Sequence, residues 1–271
     1  MKMYEKTFFG ENSKINFSEG PENGETIILI HALGSSWKSW NPIINLIIKK
    51  YHLIAIDLIG HGKSDKVLND YTWENYSIEV SHFIKFNSPK SVNLLGHSLG
   101  GIVAAICSIK EKSVKTLCME DPPIFINRKI KPNKIFGDFK KQMFLSKKRF
   151  NLEYTINEIL KFSPSIKREV AMSRAKNILS ADYKIWETIL FRDIVGTNTP
   201  DKILPKIDVP TLIFRADPNL NGVISKDNEK MLSNIKVLEI EYWENCGHNM
   251  HSSFPEKFSS RYLSFLNKNR N

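Results

Sequence analysis

Apolar positions along this chain follow two rhythms. Thr26–Ile30 is an unbroken run of β-branched and aliphatic residues, and His52–Ile56 is aliphatic after its first residue, the pattern of strands covered on both faces. Residues 92–95, 114–119, 210–214 and 237–240 repeat it. Between these runs the spacing becomes helical. Trp37, Trp40, Ile44 and Ile48 share one face of a predicted helix over residues 40–49, and Thr72 is placed to cap a second over 72–86. Residues 6–9 and 14–17 predict a hairpin of edge strands around Gly10, Glu11 and Asn12. Residues 225–232 and 255–266 predict the last two helices, the latter burying Phe258, Tyr262 and Phe265. Alternation of this kind implies a mostly parallel sheet with helices on both faces, which binds ligands outside the carboxyl ends of its strands.

The rhythm changes over residues 122–200. No strand pattern occurs there, and helices are predicted near 134–147, 152–162, 166–179 and 182–195, with breaks at Ser163-Pro164 and around Pro200. The expected organisation is a core over residues 1–121, a helical insertion over 122–200, and a return to the core over 201–271. No internal repeat or low-complexity segment is evident.

Composition narrows the class. At 271 residues, 41% hydrophobic and 25% charged, the chain has the make-up of an ordinary globular protein with a sizeable core. It holds no apolar run long enough to span a bilayer, and residues 1–14 lack the apolar region of an export signal. The three cysteines, Cys107, Cys118 and Cys246, lack metal-ligand spacing. An odd count without an export signal predicts reduced thiols and a cytoplasmic location. The net charge of +10 invites a nucleic-acid or membrane reading, and residues 128–149 carry nine Lys/Arg against the single acid Asp138. That stretch has neither a helix-turn-helix pattern nor the aromatic interleaving of a single-strand platform, so a solvated basic face is expected. Nucleic-acid binding and membrane association are therefore not expected, and the oligomeric state is left open.

Candidate chemistry gathers at the predicted strand ends. The most informative stretch is residues 91–101, where Gly96-His97-Ser98-Leu99-Gly100 stands between a buried strand and a small-residue apolar helix. A Gly-x-Ser-x-Gly in that setting is the pattern of a nucleophile elbow. The serine sits on a strained turn, and the flanking glycines let neighbouring elements pass close by. The other strand ends carry His31-Ala32-Leu33-Gly34, residues 57–64 and Glu120-Asp121, and a late histidine, His248, follows Asn245-Cys246-Gly247.

Taken with the helical insertion, these stretches resemble the α/β-hydrolase fold family, in its serine-nucleophile branch with a helical cap. His31 to Gly34 is similar to the family's His-Gly-x-x loop, with Ala32 replacing the usual glycine, and residues 57–64 match its Asp-x-x-Gly-His-Gly-x-Ser turn. Residues 245–248, leading into Phe254-Pro255-Glu256-Lys257-Phe258, resemble its Gly-His segment before the last helix. The resemblance implies a mostly parallel eight-stranded sheet, Ser98 as nucleophile, His248 as base, and an oxyanion hole from the backbone N–H groups of Leu33 and Leu99. The acid is expected at Asp217 in a shortened loop, with Glu120 or Asp121 as the alternative. His31, Trp37 and Trp186 are candidate substrate-binding residues. His61 and His97 are expected to pack or bond their loops, and His251 to be a fallback base. No metal or cofactor is expected.

The function implied is a serine hydrolase cleaving an ester or related acyl bond of a small, apolar substrate through an acyl-enzyme. Lactonase, thioesterase and carbon–carbon hydrolase chemistry remain open within that branch, and a slow or silent small-molecule receptor on the same fold is the alternative. Serine rather than aspartate at the elbow argues against epoxide hydrolase and haloalkane dehalogenase, whose chemistry needs a carboxylate nucleophile.

Overall fold

A computed structural model describes residues 1–270 except 12, 67–68, 88–89 and 127–133. One eight-stranded sheet forms its centre, in the order β1-β2-β4-β3-β5-β6-β7-β8. The strands are β1 (Tyr4–Phe9), β2 (Lys14–Glu19), β3 (Thr26–Ile30), β4 (His52–Ile56), β5 (Val92–His97), β6 (Val114–Glu120), β7 (Thr211–Ala216) and β8 (Leu238–Trp243). From β4 to β8 every neighbouring pair is parallel, while β1–β2 and β2–β4 are antiparallel. The eight-stranded, mostly parallel sheet is the one expected. One detail differs: β2 is not an edge strand, because Phe17 pairs with Ile56 on its far side.

The helices are α1 (Asn41–Ile47), α2 (Trp73–Asn87), α3 (Leu99–Lys110), α4 (Lys134–Lys148), α5 (Leu152–Phe162), α6 (Arg168–Ser180), α7 (Lys184–Phe191), α8 (Pro200–Ile203), α9 (Lys226–Leu232), α10 (Met250–Ser253) and α11 (Pro255–Lys268). Thr72 caps α2 as expected, its hydroxyl accepting from the Asn75 N–H at 3.2 Å. The predicted helix over 40–49 begins earlier, as a 3-10 turn over Trp37–Trp40 that runs into α1.

Period-two geometry explains the two-faced core. In β3, Ile27 and Leu29 face α1 and α11, packing with Trp40, Ile43, Phe258 and Tyr262. Ile28 and Ile30 face the other way, packing with Phe83 and Ile84 of α2 and Ile102 and Ile106 of α3. Each such side chain, removed from water on both faces of the sheet, contributes about 1.5–3 kcal/mol. The small residues Gly100, Gly101, Ala104 and Ala105 are all buried, as a helix lying close on the sheet requires.

α4 to α7 lie between β6 and β7 in the chain, at the positions expected for the helical insertion. No described helix is long and apolar enough to cross a membrane. The basic stretch 128–149 lies partly outside the described residues, and its described part forms α4 and the turn after it.

Candidate active site

Ser98 occupies the one-residue corner between β5 and α3, with φ 53° and ψ −118°. That left-handed conformation is strained for a residue with a side chain. Its N–H is held by the Glu120 carbonyl at 2.8 Å. The flanking glycines are sterically required: a Cβ on Gly96 would lie 2.2 Å from the Gly100 carbonyl oxygen, and one on Gly100 would lie 2.1 Å from that of Ile30. The Gly-x-Ser-x-Gly pattern is thus the local solution to turning a chain sharply beneath a neighbouring strand.

Ser98 and His248 line one cavity of about 590 Å³ between the strand ends and α4 to α7. Apolar side chains such as Phe125, Phe136, Phe139 and Ile178 form much of its wall, joined by polar Gln142 and Asn177. Leu33 and Leu99 also line it, and neither N–H finds an acceptor among the described residues. Two buried histidines shape the loop carrying Leu33. His31 donates from Nδ1 to the Ala32 carbonyl (2.7 Å) and accepts the Leu58 N–H at Nε2 (3.0 Å). His61 donates from Nδ1 to the Ile59 carbonyl (3.1 Å) and accepts the Gly34 N–H at Nε2 (3.0 Å). Each needs one bare ring nitrogen, and burial supplies it by pushing both imidazoles below their ordinary value.

The carboxylate on His248 is Asp121, which corrects the expectation of Asp217. Asp121 Oδ2 lies 2.6 Å from His248 Nδ1, with the aspartate fully buried. Its two oxygens are further held by the N–H groups of Val223 (3.0 Å) and Ala216 (3.4 Å). Asp121 has φ 41°, a left-handed turn immediately after β6. Asp217 is also buried, but its oxygens accept the N–H groups of Asn219 (2.9 Å) and Asn245 (3.1 Å). It braces its own turn and the loop before His248. Glu120, the other alternative, faces His251: Oε2 lies 2.6 Å from His251 Nδ1, and Oε1 accepts the His251 N–H at 3.0 Å. With both nitrogens engaged and 1% of its side chain exposed, His251 is not placed as a fallback base.

The three candidate substrate-binding residues lie outside the cavity lining. His31 is buried in the loop network. Trp37 turns outward, its Nε1 donating to Glu5 at 3.0 Å. Trp186 is buried behind the loop, where a Cβ on Gly34 would lie 3.0 Å from its ring. The cavity is instead walled in part by Phe125, Phe136 and Phe139, aromatic residues of the insertion whose content in the sequence suits either an apolar acyl pocket or the packing of its helices.

His97, Glu120 and His251 bring ligand-type atoms within 4.8 Å of one another. Both Glu120 oxygens are taken by His251, and His97 Nε2 donates to the His248 carbonyl at 3.0 Å. All three thiols are free and buried.

An elbow serine, a histidine–aspartate pair and unpaired loop amides around one cavity, at the carboxyl edge of a mostly parallel sheet, define an α/β hydrolase. Residues 27–261 match the family model described as the alpha/beta hydrolase family, and the chain belongs to that family. Among curated relatives, the chain is 25% identical over 253 residues to Lipase 1 of Psychrobacter immobilis, covering 90% of this chain and 75% of that one. It is 35% identical over 98 residues to the (E)-2-((N-methylformamido)methylene)succinate hydrolase of Acinetobacter baylyi, covering 34% and 35% of the two chains. A match of 37% identity to an uncharacterized protein of Mycobacterium tuberculosis spans 82 residues, only 24% of that protein's length and 30% of this chain's. Of solved structures, a putative lipase from Acinetobacter baumannii superposes with a TM-score of 0.78 at 25% identity, covering 98% and 92% of the two chains. An esterase from Exiguobacterium antarcticum superposes at 0.77 and 21% identity, covering 97% and 100%.

Proposed function

We propose that this hydrolase is a serine esterase, cleaving an ester or related acyl bond by way of an acyl-enzyme on Ser98. The observation that carries the reading is that Ser98 and the Asp121-bound His248 open onto one cavity with a largely apolar wall. With Nδ1 donating to Asp121, the His248 nitrogen left to accept a proton is Nε2. It takes the Ser98 hydroxyl proton as Oγ attacks the carbonyl carbon, and returns it to the leaving alcohol as the acyl–oxygen bond breaks. Water then repeats the sequence on the acyl-enzyme. Leu33 and Leu99 N–H groups receive the developing oxyanion in a site that needs no rearrangement.

Asp121 orients the imidazole and stabilises its charged form. The helices α4 to α7 roof the cavity as a cap, and the aromatic wall favours an acyl group with an apolar body. Relatives named as lipases support an ester substrate. The test is steady-state hydrolysis of p-nitrophenyl esters of increasing acyl length, beside Ser98→Ala and labelling by a serine-directed phosphonate. Turnover and labelling that both vanish in the variant support the reading. Turnover that survives it removes Ser98 as the nucleophile, and a wild type that neither turns over nor labels removes the acyl-enzyme.

A further inference from the structure

The molecule holds two histidine–carboxylate pairs on consecutive residues of one turn. Asp121 faces His248 at the cavity, and Glu120 faces His251 beneath it. Only the first is explained by ester hydrolysis.

The geometry around His251 fixes its protons. Nδ1 lies 2.6 Å from Glu120 Oε2, and Nε2 lies 3.1 Å from the Ser39 carbonyl oxygen. A carbonyl accepts only, and so does an ionised carboxylate; each ring nitrogen must therefore carry hydrogen. The Trp40 ring lies 4.5 Å away, centroid to centroid, at 35° to the imidazole, an aromatic face suited to a buried cation. Burial would raise the Glu120 carboxyl, but the neighbouring His251, first by its charge and then by two hydrogen bonds, outweighs it and holds Glu120 down at about 2. An ionised Glu120 and a charged His251 balance each other, which makes the pair tolerable where neither charge alone would be.

The same pair joins three loops. Glu120 closes β6, and its backbone carbonyl holds the Ser98 N–H. His251 opens the turn that follows His248. Ser39 lies in the 3-10 turn that follows the Leu33 loop. His97 stands between the two pairs, its ring 4.7 Å from His248 and 5.2 Å from His251, while its Nε2–H holds the His248 carbonyl. Burial, against the opposing pull of the Glu120 charge, pushes His97 down to about 3, so it remains a neutral donor. Among the described residues, Asp121 is adjacent to Glu120, and Cys118 and Cys246 lie in its electrostatic reach, both thiols pushed up by burial.

We propose that Glu120 and His251 form a hydrogen-bonded carboxylate–imidazolium clamp that positions the base His248 relative to Ser98 and the Leu33 loop. Glu120 does not line the cavity, and His251, which borders it, has both ring nitrogens engaged by Glu120 and Ser39; both are positioning residues. This rests on the Ser98–His248 reading for its kinetic consequence, but the charge state of His251 does not.

Two experiments separate these parts. Nitrogen NMR of the 15N-histidine-labelled protein at pH 8, with His251 assigned through its own backbone, should show both ring nitrogens protonated. A bare ring nitrogen on His251, or a bound metal in place of its proton, overturns the clamp whether or not any ester is turned over. In kinetics, Glu120→Gln should lower kcat about tenfold or more with KM within about twofold, since it disturbs the geometry of the base and not the cavity wall. His251→Gln should in addition move the acid limb of kcat/KM to higher pH, because it leaves the Glu120 charge uncompensated near His248. Glu120→Gln removes the carboxylate that holds the His251 proton, so the pair is left without net charge and the limb should stay in place. Wild-type kcat in both variants with only a lowered Tm overturns the positioning role.

Discussion

The turns after β6 and β7 each carry a buried aspartate at the same edge of the sheet, yet only one reaches the histidine. Asp121 sits in a left-handed turn, its carboxylate on His248 and its outer oxygens held by Ala216 and Val223 of the neighbouring segment. Asp217 has an extended backbone (φ −70°, ψ 118°) and accepts N–H groups from Asn219 and Asn245. Both carboxylates are satisfied; they differ in what satisfies them. Asp121 binds a side chain that can move protons, whereas Asp217 binds only backbone. The loop after β7 carries His248 indirectly, by bracing Asn245 three residues before it.

That contrast can be broken in order of expected effect. Ser98→Ala tests the frame in which either aspartate matters, and should lose about 10⁴-fold or more in kcat on the best p-nitrophenyl ester. Asp121→Asn should follow at about 10³- to 10⁴-fold, because an amide reverses the donor–acceptor match at His248 Nδ1 and favours the wrong tautomer. A near-wild-type kcat there, with a large loss in Asp217→Asn, would return the acid to β7. Asp217→Asn should instead keep kcat within about tenfold and cost about 1–3 kcal/mol of stability, seen as a Tm lowered by several degrees.

Acid should act on the whole region. Glu120 is held at about 2 against an ordinary 4.5, so the stability it contributes is complete above pH 4.5 and is lost as pH falls towards 2. His97 is held at about 3 against an ordinary 6.5, so the unfolded chain takes up its proton first and stability begins to fall below 6.5. Thermal unfolding followed from pH 7 to 3 should show a Tm that declines throughout that range, and a flat Tm down to pH 4 would contradict it. The smallest effect belongs to Trp37→Phe, which should leave KM within about twofold, since the indole turns away from the cavity towards Glu5.

Much of the fold was legible because its causes are local. A strand covered on both faces must be mostly apolar, and β3 and β4, aliphatic after their first residues, announce themselves so. The elbow was legible for a steric reason: only glycine leaves room at positions 96 and 100, so the pattern is written in residue types. The edge role assigned to β2 was wrong because pairing with β4 is a long-range event. Trp37 and Trp186 were misplaced because aromatic spacing marks a buried face without saying whether that face meets a cavity or another helix.

The sequence by itself therefore determined the sheet and the elbow turn at Ser98, and it narrowed the candidates to His248 and a small set of carboxylates. Choosing among Glu120, Asp121 and Asp217 required the folded chain. Consecutive residues such as Glu120 and Asp121 point to different places according to one backbone turn, and the turn at Asp121 is held by its N–H bond to the Phe214 carbonyl on a strand about ninety residues later in the chain. Nor could residue types show that His251, three positions after His248, would complete a second pair. Hydrogen-bond partners are chosen by distance and direction in space, and those are properties of the assembled sheet rather than of any stretch of chain.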